Sequence, residues 1–144
     1  MMLEVLKSIR FGEISFDPED IVGFEEGIPG FEGLKRFLLI ESQDFAPMKF
    51  FQALDDPNIS LPLLPPQTVC QGYQLEISTQ QRRDLGLERP QDAAVLCVVT
   101  IDEDPSHSTI NLFAPMVINP AQRKAAQIMQ FGSEYPVDAP LLAG

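Results

Sequence analysis

The only histidine, His107, sits in Glu103-Asp104-Pro105-Ser106-His107-Ser108, where an imidazole lies beside hydroxyls and carboxylates. Those are the parts of a nucleophilic hydrolase: a base, an attacking hydroxyl and an acid to orient the ring. Such a system works only when the three groups meet with separate roles in space. Here they crowd into one proline-containing turn. A solvated turn histidine is the simpler reading, and a small hydrolase using His107 is the lesser alternative.

Other chemistry-bearing groups are equally sparse. Acid pairs occur at Glu25-Glu26, Asp55-Asp56 and Asp102 with Asp104. Paired carboxylates can cleave glycosides or hold a hard cation. None of these follows the glycine-containing spacing of a calcium loop, and each flanks a strand-like segment where acids face water. Gly27-Ile28-Pro29-Gly30 lacks the Gly-Lys-Ser/Thr ending of a phosphate cradle, and Pro29 removes a backbone donor. Cys70 and Cys97 have no CxxC spacing, and with one histidine they cannot complete a zinc site. Cys97 lies in the apolar run Ala93–Val99 and reads as a small buried hydrophobe. The residues therefore point away from an enzyme, with no metal or other cofactor expected.

The 144 residues carry 10 Lys and Arg against 21 Asp and Glu, a formal net charge of −11. Such a surface repels phosphate backbones and anionic lipid, and it attracts basic protein surfaces. Direct nucleic-acid and membrane partners are therefore not expected, and with no reaction centre in view no small-molecule substrate is expected either. The start, Met1-Met2-Leu3-Glu4-Val5, shows no long apolar stretch, so a cytoplasmic location is expected. The length fits one domain, 1–144, able to hold a core without disulfides.

Thirteen prolines and nine glycines cut the chain into short segments, which favours strands over long helices. Ile9-Arg10-Phe11 and Ile14-Ser15-Phe16 flank Gly12-Glu13 as a hairpin. Strands are expected at Ile21–Phe24, Phe37–Ile40, Lys49–Leu54, Gln74–Ile77, Ala93–Ile101, Thr109–Phe113 and Met116–Asn119. Ser60–Leu64 contains Pro62 and is expected at an edge or bulge. Thr79–Leu87 has helix formers, a possible Thr cap and a late Gly86, so one short helix is expected there. Residues 120–124 read as a turn and a last strand begins near 126. The tail from about 132 to 144 reads as irregular. About ten short strands with one or two short helices indicate an all-β domain, a sandwich or small barrel.

Of ten phenylalanines, Phe31, Phe45, Phe50, Phe51 and Phe113 lie near turns or strand ends. Most should be core, because burying a phenylalanine contributes about 1.5–3 kcal/mol. One or two are expected in an exposed apolar patch that marks a partner surface.

Three segments together resemble the flagellar assembly factor (FliW) family. They are Gly27-Ile28-Pro29-Gly30-Phe31-Glu32-Gly33-Leu34-Lys35-Arg36-Phe37, Phe51-Gln52-Ala53-Leu54-Asp55-Asp56-Pro57, and Thr109-Ile110-Asn111-Leu112-Phe113-Ala114-Pro115-Met116-Val117-Ile118-Asn119 followed by Arg123, Ala126 and Gln127. The third is the most specific. The resemblance implies a compact β-barrel-like domain without enzymatic activity. It implies binding to flagellin before export and to the translational regulator CsrA, which competes with flagellin for the factor. It marks Phe31, Gln52, Asn111, Phe113, Arg123 and Gln127 as candidate partner contacts. Gly27, Pro29, Gly30, Pro115 and Asn119 are expected to shape turns. Two stretches depart from the family pattern. Leu61-Pro62-Leu63-Leu64-Pro65-Pro66 is richer in proline and leucine, and Tyr135–Leu141 carries Asp138 where relatives tend to have a basic or histidine-containing end. An acidic interaction module unrelated to motility is the remaining alternative.

Overall fold

The computed structural model describes residues 3–142. Met1 and Met2 at the expected leaderless start, and Ala143 and Gly144 at the end of the expected irregular tail, lie outside the described residues. The strands are β1 (Glu4–Ser8), β2 (Gly12–Phe16), β3 (Val22–Phe24), β4 (Arg36–Glu41), β5 (Lys49–Ala53), β6 (Ser60–Leu64), β7 (Ala94–Thr100), β8 (Thr109–Ile110), β9 (Met116–Asn119), β10 (Lys124–Gln127) and β11 (Ala139–Pro140). Among the described residues a single α-helix, α1 (Thr79–Asp84), lies between β6 and β7.

Strands β3 to β7 form an antiparallel run; β7 then pairs with β9, β9 with β10, and β10 with β3. The ring closes into a seven-stranded barrel. Closure removes the long unpaired edges that an open sheet of this kind would expose. The all-β expectation therefore holds, in its barrel form. The closing contact is the parallel β10–β3 pair, which has only two matched positions, Lys124↔Gly23 and Ala125↔Phe24.

Strand β5 shows why nearly every residue of this barrel wall is covered. Phe51 and Ala53 point into the main core with Phe24, Phe37, Leu63 and Met116. Alternate residues face outward, where the β1–β2 hairpin covers them. Leu6 and Phe16 pack there on Leu38, with Ile14, Ile40 and Leu54 beside them. Gln52 lies under this hairpin, fully buried, and accepts a 2.6 Å bond from the Ser8 hydroxyl.

Several boundaries differ from expectation for local reasons. The hairpin is present, but Ile9-Arg10-Phe11 forms its turn instead of its first strand, and Leu6 faces Ile14. The Ser8 hydroxyl accepts from the amides of Arg10 and Phe11, closing the turn there. Pro62 is not on an edge strand: β6 lies between β5 and β7. Its missing donor is tolerated because β6 meets β7 only beyond the proline, at Leu63↔Val98 and Leu64↔Cys97. Gln74–Ile77 is not a strand. It is held by one side chain in place of a neighbouring strand: Gln130 accepts from the Glu76 amide at 2.8 Å and donates to its carbonyl at 3.0 Å. Ser78, not Thr79, caps α1, in a capping box with Gln81. The last barrel strand starts at Lys124, two residues early. The tail is not wholly irregular, since Ala139 and Pro140 pair with β8.

In the Gly27–Gly30 turn φ is 73° at Gly27 and 89° at Gly30. A Cβ on Gly27 would lie 2.7 Å from the Glu32 carbonyl oxygen, whereas one on Gly30 would meet open space. Both substitutions carry left-handed strain, but only Gly27 adds a clash with backbone. Gly27→Ala is expected to lower unfolding free energy by about 2–4 kcal/mol and Gly30→Ala by about 1 kcal/mol, read by urea denaturation. Equal losses would rule out the close approach as the cause.

Candidate partner-binding surface

The surface is built on an irregularity in the barrel wall. β8 and β9 pair with the same edge of β7. The three-residue step from Leu96 to Val99 faces the six-residue step from Ile110 to Met116. The surplus residues loop out as a bulge between Asn111 and Pro115. Asn111 is there because its short amide can bond to backbone within its own turn. Its Oδ1 accepts from the Phe113 and Ala114 amides, each at 3.0 Å. Gln127, on β10, donates to the Ala114 carbonyl at 3.0 Å. The Phe113 carbonyl accepts from the Gln130 amide at 2.7 Å. Three of the residues singled out in the sequence, Asn111, Phe113 and Gln127, thus meet in one place.

The bulge is also tied to the C-terminal segment. The Pro136 carbonyl accepts from the amides of Leu112 and Phe113. Tyr135 stacks on Tyr73 with ring centres 4.4 Å apart, and the Tyr73 hydroxyl donates to the Leu112 carbonyl at 2.7 Å. Desolvation is the main cause that raises the Tyr73 phenol above its ordinary value, so it stays a donor at neutral pH.

This scaffold presents apolar side chains to water. Phe113 meets Phe131 edge to face at 5.6 Å, and Phe131 is 76% exposed. Met129 is exposed beside it in sequence alternation, while Ile128 and Gln130 turn inward and are buried. Val137, next to the bulge-bonded Pro136, is exposed as well. An exposed aromatic ring packed on a half-buried one, over a hydrogen-bonded bulge, is what a protein-docking surface provides. Met129 and Phe131 were not picked out in the sequence. The available signal was that Ile128-Met129-Gln130-Phe131 puts apolar residues on both faces of an extended chain.

The other singled-out residues are elsewhere. Gln52 is corrected from a partner contact to an internal strut, since its amide also donates to the carbonyls of Ala53 and Asp56. Phe31 is half-buried against the main core, its amide bonded to the Ile28 carbonyl. Arg123 ends the β9–β10 turn at φ 56° and lies 3.6 Å from Asp20. Asn119 is buried and accepts from Ala121 and Gln122 while donating to the Leu85 carbonyl, so it shapes that turn and anchors α1. Pro115 is buried at the end of the bulge. Pro29 lies on the wall of a cleft of about 610 Å³ between β10, α1 and the turn after β3.

His107 is exposed, with its Nδ1 3.7 Å from Asp104, and Ser106 bonds to the same carboxylate. The Ser106 contacts hold Asp104 below the usual carboxylate range. Among the described residues no three His, Cys, Asp or Glu side chains gather as metal ligands, and no helix is long and apolar enough to cross a membrane. A second apolar group, Phe11, Phe45 and Phe50 with Arg10 over the Phe50 ring, props the hairpin turn.

Cys97 is buried, and desolvation pushes its thiol up to about 12 from an ordinary 9.0. The folded state then holds this proton more tightly than the unfolded chain. Its contribution is fully present below about pH 9 and is lost as pH rises toward 12. Stability is expected to fall across that window, and the fall to be shallower in Cys97→Ala. Urea midpoints against pH read this; parallel curves for the two proteins would exclude the thiol as the cause.

Comparison with known proteins agrees with this architecture. Residues 5–141 match the family described as FliW protein. The flagellar assembly factor FliW of Pseudothermotoga lettingae is 41% identical over 129 residues, covering 89% of this chain and 82% of that protein. The flagellar assembly factor FliW of Carboxydothermus hydrogenoformans is 38% identical over 141 residues, covering 98% and 91%. A crystal structure of the flagellar assembly factor FliW superposes with a TM-score of 0.92 at 27% identity, covering 98% of this chain and 99% of that one. A matched fold, near-complete coverage and the barrel bulge carrying the third motif lead to one conclusion: this chain belongs to the FliW family of flagellar assembly factors.

Proposed function

We propose that this chain works in the cytoplasm by protein binding alone, holding flagellin before export and holding CsrA when flagellin is scarce. Flagellin bound to the factor would leave CsrA free to repress flagellin translation; export would reverse this. The observation that carries the reading is the Phe113–Phe131 pair, in which exposed Phe131 packs on half-buried Phe113 of a bulge that Asn111, Gln127 and Pro136 hold by hydrogen bonds. A rigid aromatic anchor loses little conformational entropy on docking. The net charge of −11 supports the CsrA half of the reading, since an RNA-binding partner presents basic surface.

Calorimetric titration tests this with the host's flagellin and CsrA. The expected result is saturable one-to-one binding to each, with preloaded CsrA weakening the flagellin isotherm. Absence of heat with flagellin at micromolar concentration would exclude the flagellin reading, and undiminished flagellin binding to the preloaded factor would exclude competition.

A further inference from the structure

The barrel closes incompletely. Hydrogen bonding along β10 alternates sides, as in any strand. The Ile128 amide bonds to the Pro115 carbonyl on the β9 side, so the even-numbered residues face β9 there. The odd-numbered residues face β3, consistent with the 2.9 Å bond from the Gly23 amide to the Arg123 carbonyl. But β3 ends at Phe24, where a turn closed by the Gly27 amide and the Phe24 carbonyl carries the chain away. The Ala125 carbonyl and both backbone groups of Gln127 are therefore left without a backbone partner among the described residues. They look into the cleft of about 610 Å³ whose far wall is the 25–32 turn and α1.

The walls of this cleft are chemically biased. Glu25, Glu26, Glu32 and Asp84 line it against Lys35 and Lys124. Glu25 and Glu26 are exposed and enter no ion pair among the described residues. Glu32 is occupied in part, accepting from the Gly30 amide. The small side chain of Ala126, on the α1 side of β10, leaves the floor low. An unpaired strand edge in a roomy cleft is the receptor half of strand addition, in which main-chain bonds supply affinity and the flanking side chains supply selectivity.

The geometry points to a peptide-binding site: an extended, lysine- or arginine-bearing segment of a partner protein adds as a strand to β10, with its cations toward Glu25 and Glu26. This rests on the reading that the chain acts by holding other proteins, but the residues that line the cleft do not include Phe113 or Phe131.

The probe is an acetylated, amidated octapeptide of alternating lysine and valine. It is expected to bind saturably, with at least tenfold lower affinity for the E25K/E26K variant, and the glutamate–valine counterpart should not bind. Methylating the peptide's amide nitrogens at alternate residues separates strand addition from charge attraction. One parity should lose binding by more than tenfold and the other should not. In the bound protein the Gln127 amide should gain protection from hydrogen exchange. Absent binding, equal affinity for E25K/E26K, equal response of the two parities, or an unprotected Gln127 amide would each overturn the proposal. Flagellin titrated against the same proteins keeps the two readings apart. Peptide failure with flagellin binding intact removes only the strand site, and flagellin failure with peptide binding intact removes only the flagellin reading.

Discussion

Phe51→Ala is expected to lower unfolding free energy by about 3–5 kcal/mol, as deletion of a fully buried phenylalanine does in other cores. Phe51 is fully buried, and its ring meets Phe24 at 5.4 Å and Phe37 at 5.8 Å, edge to face, while Phe24 and Phe37 meet at 5.3 Å. The three rings sit on β3, β4 and β5, so one cavity would loosen three neighbouring strands. Domains of this kind have a total stability of about 5–15 kcal/mol, so such a loss is a large share of the whole. Phe51→Leu refills part of the space and should cost less. Urea denaturation reads both. A shift in midpoint with an unchanged slope identifies a stability loss without a change in what unfolds. A loss under 1 kcal/mol in Phe51→Ala would mean that the aromatic triad is not the keystone of the barrel.

The second large effect concerns binding. Replacing both Phe113 and Phe131 by Asp is expected to weaken flagellin binding about 100-fold, equivalent to about 2.7 kcal/mol. Phe131 is 76% exposed, so a carboxylate there remains solvated in the free protein. The bulge itself is held by the Asn111 amide, the Gln127 amide and the Pro136 carbonyl, none of which needs the Phe113 ring. Thermal stability should therefore change far less than affinity. Titration calorimetry with a melting curve on the same sample separates the two. Full affinity in the double variant would place flagellin on another face.

Charge reversal at Glu25 and Glu26 supplies the complementary control. Those residues line the cleft beside β10 and Phe113 and Phe131 do not, so each pair of substitutions should affect one kind of ligand.

Residue by residue, what was legible followed the range of the interaction. The run of β7 was readable because a strand covered on both faces has to be apolar along most of its length. The Gly27–Gly30 turn was readable because a positive φ restricts residue choice at the position itself. The Asn119 turn was readable for the same reason, since an amide that bonds to backbone two or three residues on leaves a local mark, whereas the expected strand 109–113 stops at Ile110 because Asn111 turns the chain. Gln74–Ile77 was misread because its alternation is real, with Leu75 and Ile77 packed inward, yet the groups that would complete a ladder meet one distant glutamine. Gln52 was misread because a polar residue in a strand looks exposed until another element is laid over it. The Ser8 hydroxyl that satisfies it comes from 44 residues away.

From residue types and local spacing alone came an all-β chain, an acidic surface, the turn glycines and the motifs that place it with the flagellar assembly factors. These are legible because backbone conformation, burial periodicity and charge are written in each short stretch. Ring closure through β10, exposure of Phe131 and the unpaired edge beside Glu25 were decided only in three dimensions. Each depends on which distant segment arrives at a given face, and that choice is made by packing of the whole barrel, not by any one strand.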